Sequence, residues 1–278
     1  MVAENLRAWL DGERDRLVWI EFDDYAHRVF ANDAADWLDV ANVFVSGVSQ
    51  AQGVVATEVL SIDVLASYLL NVDGQSGVTV DGLQALLQLE APKGFVNEVL
   101  DALAHRYANE LDLILKIDSP AQLLRRAGVT EAPTFDDLDD IGIALSNVLR
   151  EFSTKPITGV LISSAESISD DEAEALESVI SVARHYEWRV ALSLDGAAVV
   201  PSEIPEVDVD LVLLPGAAIA ELAAPHELSL AVGGGLRAAY WEAGAEAPTA
   251  ERCLLYGAIP AQTQPELVVQ RVAAAFAK

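Results

Sequence analysis

The chain has 278 residues, 52% of them hydrophobic, and a formal net charge of −27 from 44 acidic against 17 basic residues. That is enough apolar material for a sizeable core, while the negative field repels phosphate backbones and anionic membrane surfaces, so neither nucleic acid nor membrane partners are expected. Its one cysteine, Cys253, excludes an internal disulfide framework and a cysteine-rich metal cluster.

The opening MVAENLRAWLDGERDR alternates acids and bases with no apolar signal core, and no run reaches the roughly 18 apolar residues of a membrane span. The expected compartment is therefore the cytoplasm. No basic patch is denser than Arg125-Arg126, and four lysines against thirteen arginines fit GC-rich coding or salt adaptation equally well.

In chain order, short apolar β-branched runs alternate with longer stretches of helical period, the pattern of parallel α/β architecture. Strands are expected at 16–22 (RLVWIEF), 41–47 (ANVFVSG), 112–118 (DLILKID), 157–164 (ITGVLISS), 188–195 (WRVALSLD), 209–216 (VDLVLLPG), 228–235 (LSLAVGGG) and 253–260 (CLLYGAIP). Between them, Thr134 can cap DDLDDIGIALSNVLREF, whose aspartates face the positive end of the helix dipole. Ser169 with Glu172 forms a capping box before EALESVISVARHY, and Thr263, Pro265 and Glu266 open the last helix. The segment 71–100 fits less well. Asp73-Gly74 and Ser76-Gly77 read as turns, and GVTVDG as a short hairpin strand or an insertion. Strand assignment between 48 and 110 is the weakest part of the pattern. With no repeat, low-complexity tract or composition break, 1–278 reads as one domain.

Eight strand–helix units suit a single (β/α)₈ TIM barrel. An open doubly wound sheet is the alternative, but it carries a glycine-rich phosphate loop after its first strand, and FDDYAHR is nothing like one.

In such a barrel the chemistry sits at the carboxyl ends of the strands. The candidates there are Glu21, Asp23 and Asp24; Ser46 and Ser49; Lys116 and Asp118; Ser163, Ser164 and Glu166; Ser193 and Asp195; Gly233, Gly234 and Gly235; and Tyr256. Lys116 lies in an otherwise apolar strand. Desolvation would make it a Schiff-base nucleophile; the commoner fate is an ion pair with Asp118, Asp23 or Glu166. The glycines of LAVGGGLRAAYWEAG match a barrel phosphate cup or an ordinary tight turn. His27, with Arg28 beside it, follows the first strand end and is the histidine best placed to line a site. His105 and His185 fall on helices and His226 in a loop. No HxH, HExxH, nucleophile elbow, P-loop or GxGxxG is present.

Several stretches together resemble the barrel superfamily of cobalamin-independent methionine synthase and uroporphyrinogen decarboxylase. LILKIDSPAQLLRRAG resembles the lysine-bearing strand, proline turn and leucine-rich helix of that superfamily. VLISSAESISDDEAEAL is similar to a strand with an acidic turn before a capped helix, and YGAIPAQTQPELVVQRVAAAF to the closing strand and last helix. RVALSLDGA sits where the methionine-synthase branch carries a zinc-binding His-x-Cys, and there this chain has Ser193 and Asp195. Soft N/S ligands are what a zinc-activated thiol needs, so zinc is not expected, although Asp195 could ligate with Cys253 or His226 as distant helpers. The decarboxylase branch has an arginine-rich loop after its first strand, where this chain reads EFDDYAHR with Arg28.

The resemblance implies a metal-free, methyltransferase- or decarboxylase-related enzyme acting on a small molecule. In that reading Asp23, Lys116, Glu166 and Asp195 are catalytic, and His27, Arg28, Ser193, Tyr256 and Gly233–Gly235 hold the substrate. Convergent acids suit a cationic or polyhydroxylated ligand. Two alternatives stand beside it: a non-catalytic binding barrel that has lost the family site, and a phosphate-binding lyase or isomerase using the glycine turn. The oligomeric state is open.

Overall fold

The computed structural model describes residues 3–70, 72, 78–107, 109–165, 167–223, 228–245 and 252–277. In chain order the elements are α1 (Asn5–Leu10), β1 (Arg16–Glu21), α2 (Asp23–Phe30), α3 (Ala41–Val55), β2 (Val59–Asp63), α4 (Ala66–Leu69), α5 (Val80–Leu86), α6 (Glu90–Tyr107), β3 (Asp112–Asp118) and α7 (Pro120–Arg126). There follow α8 (Phe135–Glu151), β4 (Gly159–Ser164), α9 (Asp170–Ala175), α10 (Glu177–His185), β5 (Arg189–Leu194), β6 (Leu211–Leu214), α11 (Ile219–Ala223), β7 (Ala231–Gly235), β8 (Cys253–Ala258) and α12 (Pro265–Phe276).

The strands form one parallel sheet in the order β1-β8-β7-β6-β5-β4-β3-β2, and β1 comes round against β2 to make a (β/α)₈ TIM barrel. The β1–β2 seam is laced largely by side chains. The Glu58 N–H donates to the Val18 carbonyl at 3.0 Å, the Glu58 carboxylate accepts from the Val18 N–H at 2.8 Å, and the Thr57 hydroxyl accepts from the Ile20 N–H at 2.8 Å. No helix among the described residues is long and apolar enough to cross a membrane.

Strand pairing sets which side chains point inward, because alternate residues face opposite sides of a strand. Leu17 and Trp19 lie level with Leu254 and Tyr256, Ser61 with Ile114, and Asp63 with Lys116. Ser163 lies level with Ser193. The lower interior is therefore an apolar layer containing Leu17, Val59, Ile114, Leu161, Ala191, Leu211 and Leu254. The upper interior, toward the carboxyl ends, turns polar.

The floor is closed by α1, which packs Leu6 and Trp9 against that apolar layer. Asp112, 1% exposed, accepts the Leu6 N–H at 2.6 Å and so holds the otherwise unpaired first turn of α1. Burial pushes its carboxyl up to about 6, against the opposing Leu6 N–H and Arg14. An Asp112→Ala variant strands that N–H, and is expected to lose about 2 kcal/mol of stability in urea titration. An unchanged midpoint would show that the floor helix does not depend on this contact.

Outside the barrel the long helices lay apolar faces on the sheet, and this corrects one strand. Residues 41–47 are not a strand but the start of α3. Its buried Ala41, Phe44, Val48, Ala51 and Val55 recur at helical spacing, and Gly47 lets Trp37 lie close; a Cβ there would come within 2.5 Å of the Trp37 ring. The second strand is instead VLSID, 59–63. In 71–100, the proposed GVTVDG strand is the Thr79-capped start of α5, while 71 and 73–77 lie outside the described residues. Thr134 and Asp137 form the full capping box on α8, and Ser169 accepts from the Glu172 N–H at the start of α9. For α12, Pro265 takes the first turn, but the capping position is Gln264 rather than Thr263.

Candidate active site at the barrel mouth

The alternation that directs Ile114 inward also directs Lys116 inward, one layer higher. Its ammonium donates to the Glu21 carboxylate at 2.7 Å, with the two side chains 23% and 13% exposed. Burial alone would lower the Lys116 pKa, but Glu21, Tyr256 and Asp63 outweigh it and hold the value well above normal. The lysine is thus held as a cation by its ion pair with Glu21. Among the described residues its partner is Glu21, not the Asp118 or Asp23 that the sequence also offered. Glu166 lies outside the described residues.

Around this pair lies a cavity of about 360 Å³, lined by Glu21, Asp23, Asp24, Asp63, Asp118 and Asp195 together with Lys116, Arg126 and Ser163. Asp23 opens α2 immediately beyond the tip of β1, and its carboxyl has no hydrogen-bond partner among the described residues. Burial, then the adjacent charge of Glu21, push it up to about 8. Asp23 therefore exchanges a proton near neutral pH, the range an acid–base catalyst needs.

On the far side, the Ser193 hydroxyl donates to Asp195 at 2.6 Å and is reached by the Tyr256 hydroxyl. Burial raises the Asp195 carboxyl, opposed by that hydroxyl and by Lys116. Burial and Glu21 lift Tyr256 well above its usual range. Tyr256 is further fixed by an edge-on contact with Trp19, ring centroids 5.3 Å apart. Two buried oxygens of the mouth are unpartnered among the described residues: Ser163 Oγ and Glu21 Oε1.

Two residues of this site escaped the sequence reading. Asp63 ends the strand that was misplaced, and Arg126 ends α7, bonding Asp63 and Asp118 at 2.9 Å each. Arg126 thereby ties the tips of β2 and β3 together. Burial raises the Asp118 carboxyl, against the pull of Arg126. The available signal was a carboxylate ending an apolar run, as in Asp118 and Asp195.

Asp23, Lys116 and Asp195 thus meet at one mouth, with the buried Ser193 bonded to Asp195 and Tyr256 buried below. His27 lies beside it rather than in it, stacked on Trp37 with ring centroids 5.1 Å apart and its Nε2 2.9 Å from the Ala34 carbonyl. It lines a second cavity of about 300 Å³. Arg28 is exposed and 3.8 Å from Asp33. Gly233 to Gly235 form the end of β7. A Cβ on Gly233 would strike Leu254 and Leu213, and one on Gly235, at φ +90°, would crowd Ile219. Aliphatic side chains crowd Gly233 and Gly235, and the Leu214 backbone carbonyl crowds Gly234. Ser46 and Ser49 ride on α3, away from any strand end; His105 and His185 lie on α6 and α10. His226 lies outside the described residues.

The residues here do not fit a zinc-thiolate centre. In the place of the His-x-Cys pair stand a hydroxyl and a carboxylate bonded to each other, both hard oxygen donors, with the positive charge of Lys116 acting on Asp195. Cys253 begins β8, at the opposite end of the barrel from Asp195. Its thiol is buried and raised by burial against Arg16. Among the described residues no group of three or more His, Cys, Asp or Glu could hold a metal ion.

No protein-family model matches the sequence, and no curated protein matches it. Among solved structures the chain is similar to a methyltransferase from Methanosarcina mazei, with 13% identity and a TM-score of 0.62 over 99% of this chain and 98% of that one. It is also similar to the homocysteine methyltransferase MmuM from Escherichia coli in its metallated form, with 18% identity and a TM-score of 0.53 over 98% of this chain and all of the other. The likeness is one of fold, and it runs the length of the barrel.

Proposed function

We propose that this chain is a methyltransferase-related enzyme of the methionine synthase and uroporphyrinogen decarboxylase barrel type, working without zinc on a small molecule at the strand tips. The observation that carries the reading is the convergence of Asp23, the Glu21–Lys116 pair and Asp195 on one cavity. Whole-chain similarity to two methyltransferases supports it.

For methyl transfer, an acceptor X–H attacks the methyl carbon of a donor. The X–C bond forms, the donor's bond to carbon breaks, and its electron pair leaves with the donor. The proton released from X goes to the Asp23 carboxylate, which binds protons near neutrality. The Lys116 ammonium stabilises negative charge growing on X as that proton departs. A positioned base of this kind contributes about 10²–10⁴-fold, and it does here what a zinc-bound thiol does by a lowered pKa.

The test supplies ¹³C-methyl donors of cationic, neutral and anionic charge, each with homocysteine, the compound named for the E. coli neighbour. Label is expected on sulfur with at least one donor, and Asp23→Asn is expected to slow transfer about 100-fold or more. If no donor yields labelled product, or if Asp23→Asn is as fast as the parent, the reading is rejected. Ligand binding without turnover would instead favour a binding barrel.

A further inference from the structure

The cavity beside the mouth differs in character from the mouth itself. It shares Asp23, Asp24, Asp63 and Arg126 with the mouth, so the two chambers meet along one wall. Its outer part is apolar and aromatic, with Trp37, Leu38, Phe44 and Leu70. Trp37 is held rigid between His27 and Phe44, at ring-centroid distances of 5.1 and 4.7 Å. Ser163, 2% exposed, lines the inner chamber, and its hydroxyl has no partner among the described residues. Around that chamber stand six carboxyls against two fixed cations, Lys116 and Arg126.

We propose that the two chambers form one site for an organic amine with an apolar arm: the arm lies against Trp37, Leu38, Phe44 and Leu70, the ammonium faces Asp23 and Asp24 at the shared wall, and the remaining polar end reaches Ser163. This assignment rests on the mouth being the working site, and it adds the ligand's class. Three physical arguments agree. An ammonium gains from an excess of carboxylates that remains with Asp23 protonated, five against two cations, where an anion would lose. A rigid aromatic wall favours a cation or an apolar arm over a polyhydroxyl ligand. The unpartnered Ser163 hydroxyl and Glu21 Oε1 each gain a hydrogen bond from a polar ligand end. Asp24 is exposed and has no side-chain hydrogen bond to lose among the described residues.

Titration calorimetry with phenethylamine, 2-phenylethanol and phenylacetate separates charge from shape, since the three share an arm. The amine is expected to bind about tenfold tighter than the alcohol, and the carboxylate not detectably. Asp24→Asn is expected to weaken the amine about threefold and leave the alcohol unchanged. Leu70→Ser, at a site 42% exposed, is expected to weaken both about tenfold. Alcohol or acid binding as tight as the amine overturns the assignment, as does amine binding that neither variant changes. If the amine pattern holds while no methyl transfer is found, the ligand class stands and the catalytic reading falls. If methyl transfer is found without the amine preference, the ligand class alone falls.

Discussion

Replacing Lys116 by methionine is expected to lower stability by about 3–5 kcal/mol near neutral pH, the typical cost of removing one partner from a buried ion pair. The ammonium is the counter-charge bonded to Glu21, at 2.7 Å, and Glu21 Oε1 already lacks a partner. Without the lysine, Glu21 must remain ionised in a poorly solvated layer or take up a proton. The companion substitution Glu21→Gln removes that stranded charge, so Lys116→Met with Glu21→Gln is expected to recover most of the loss. The pair can be measured as a double-mutant cycle by urea denaturation. A single-variant loss below about 1 kcal/mol, or strict additivity in the cycle, would show that the two groups are effectively solvated. The same variant is expected to abolish turnover, and the recovered double variant should stay inactive while folding well. That separation matters: it distinguishes a lysine kept for charge in the site from one kept for structure.

The barrel was legible because its evidence is redundant. Each of seven strand runs is apolar on both faces, inside toward the layer of Leu17, Ile114 and Leu254 and outside toward the helices. The second strand carries only five residues, with Ser61 and Asp63 among them. Ser61 is tolerated inside because it accepts the Trp19 indole N–H at 2.8 Å, a partner that lies 42 residues away in sequence and has no local trace. Meanwhile ANVFVSG reads as a strand by composition. Only the continued spacing of Ala41, Phe44, Val48, Ala51 and Val55 shows the helix. The strand count came out right while one strand was misplaced, and that single displacement hid Asp63 and left Ser46 and Ser49 as false candidates. Arg126 was hidden for another reason. It lies on a helix, and it enters the site because α7 is only seven residues long and its end turns back over the strand tips. The acidity of the mouth, by contrast, was plain in Asp23, Asp118 and Asp195, since a carboxylate ending an apolar strand points to the C-terminal face in any barrel. Which of those acids would sit near neutrality depended on burial, which no local pattern records.

Asp23→Asn is expected to make the protein more stable above pH 8 and to change little at pH 4. In the folded chain the Asp23 carboxyl is pushed up to about 8 from a usual value of 3.8. At pH 6 the native state therefore holds a proton that the unfolded chain has released. The protonated site's contribution to stability is complete below about pH 4. It falls as pH rises and is gone once pH has passed through 8. Each unit of such a shift is worth about 1.4 kcal/mol, so the total is on the order of several kcal/mol and large against the 5–15 kcal/mol of a typical domain. Asparagine has nearly the same shape and never ionises, so the variant lacks this slope. Asp112, pushed up to about 6, and Asp195, raised by burial, slope in the same direction; only the difference between parent and variant isolates Asp23. Urea titrations of both proteins at pH 4.5, 6, 7.5 and 9, at one fixed high salt concentration to screen the net charge of −27, give that difference directly. A gap that widens with pH and levels off above 8 identifies Asp23 as the buried acid of the mouth. A gap that stays flat would place its carboxyl in water, and with it would go the proton acceptor on which the methyl-transfer step depends. The residue that costs the fold most above neutral pH is thus the one the chemistry needs, a trade expected where a site is built for function rather than stability.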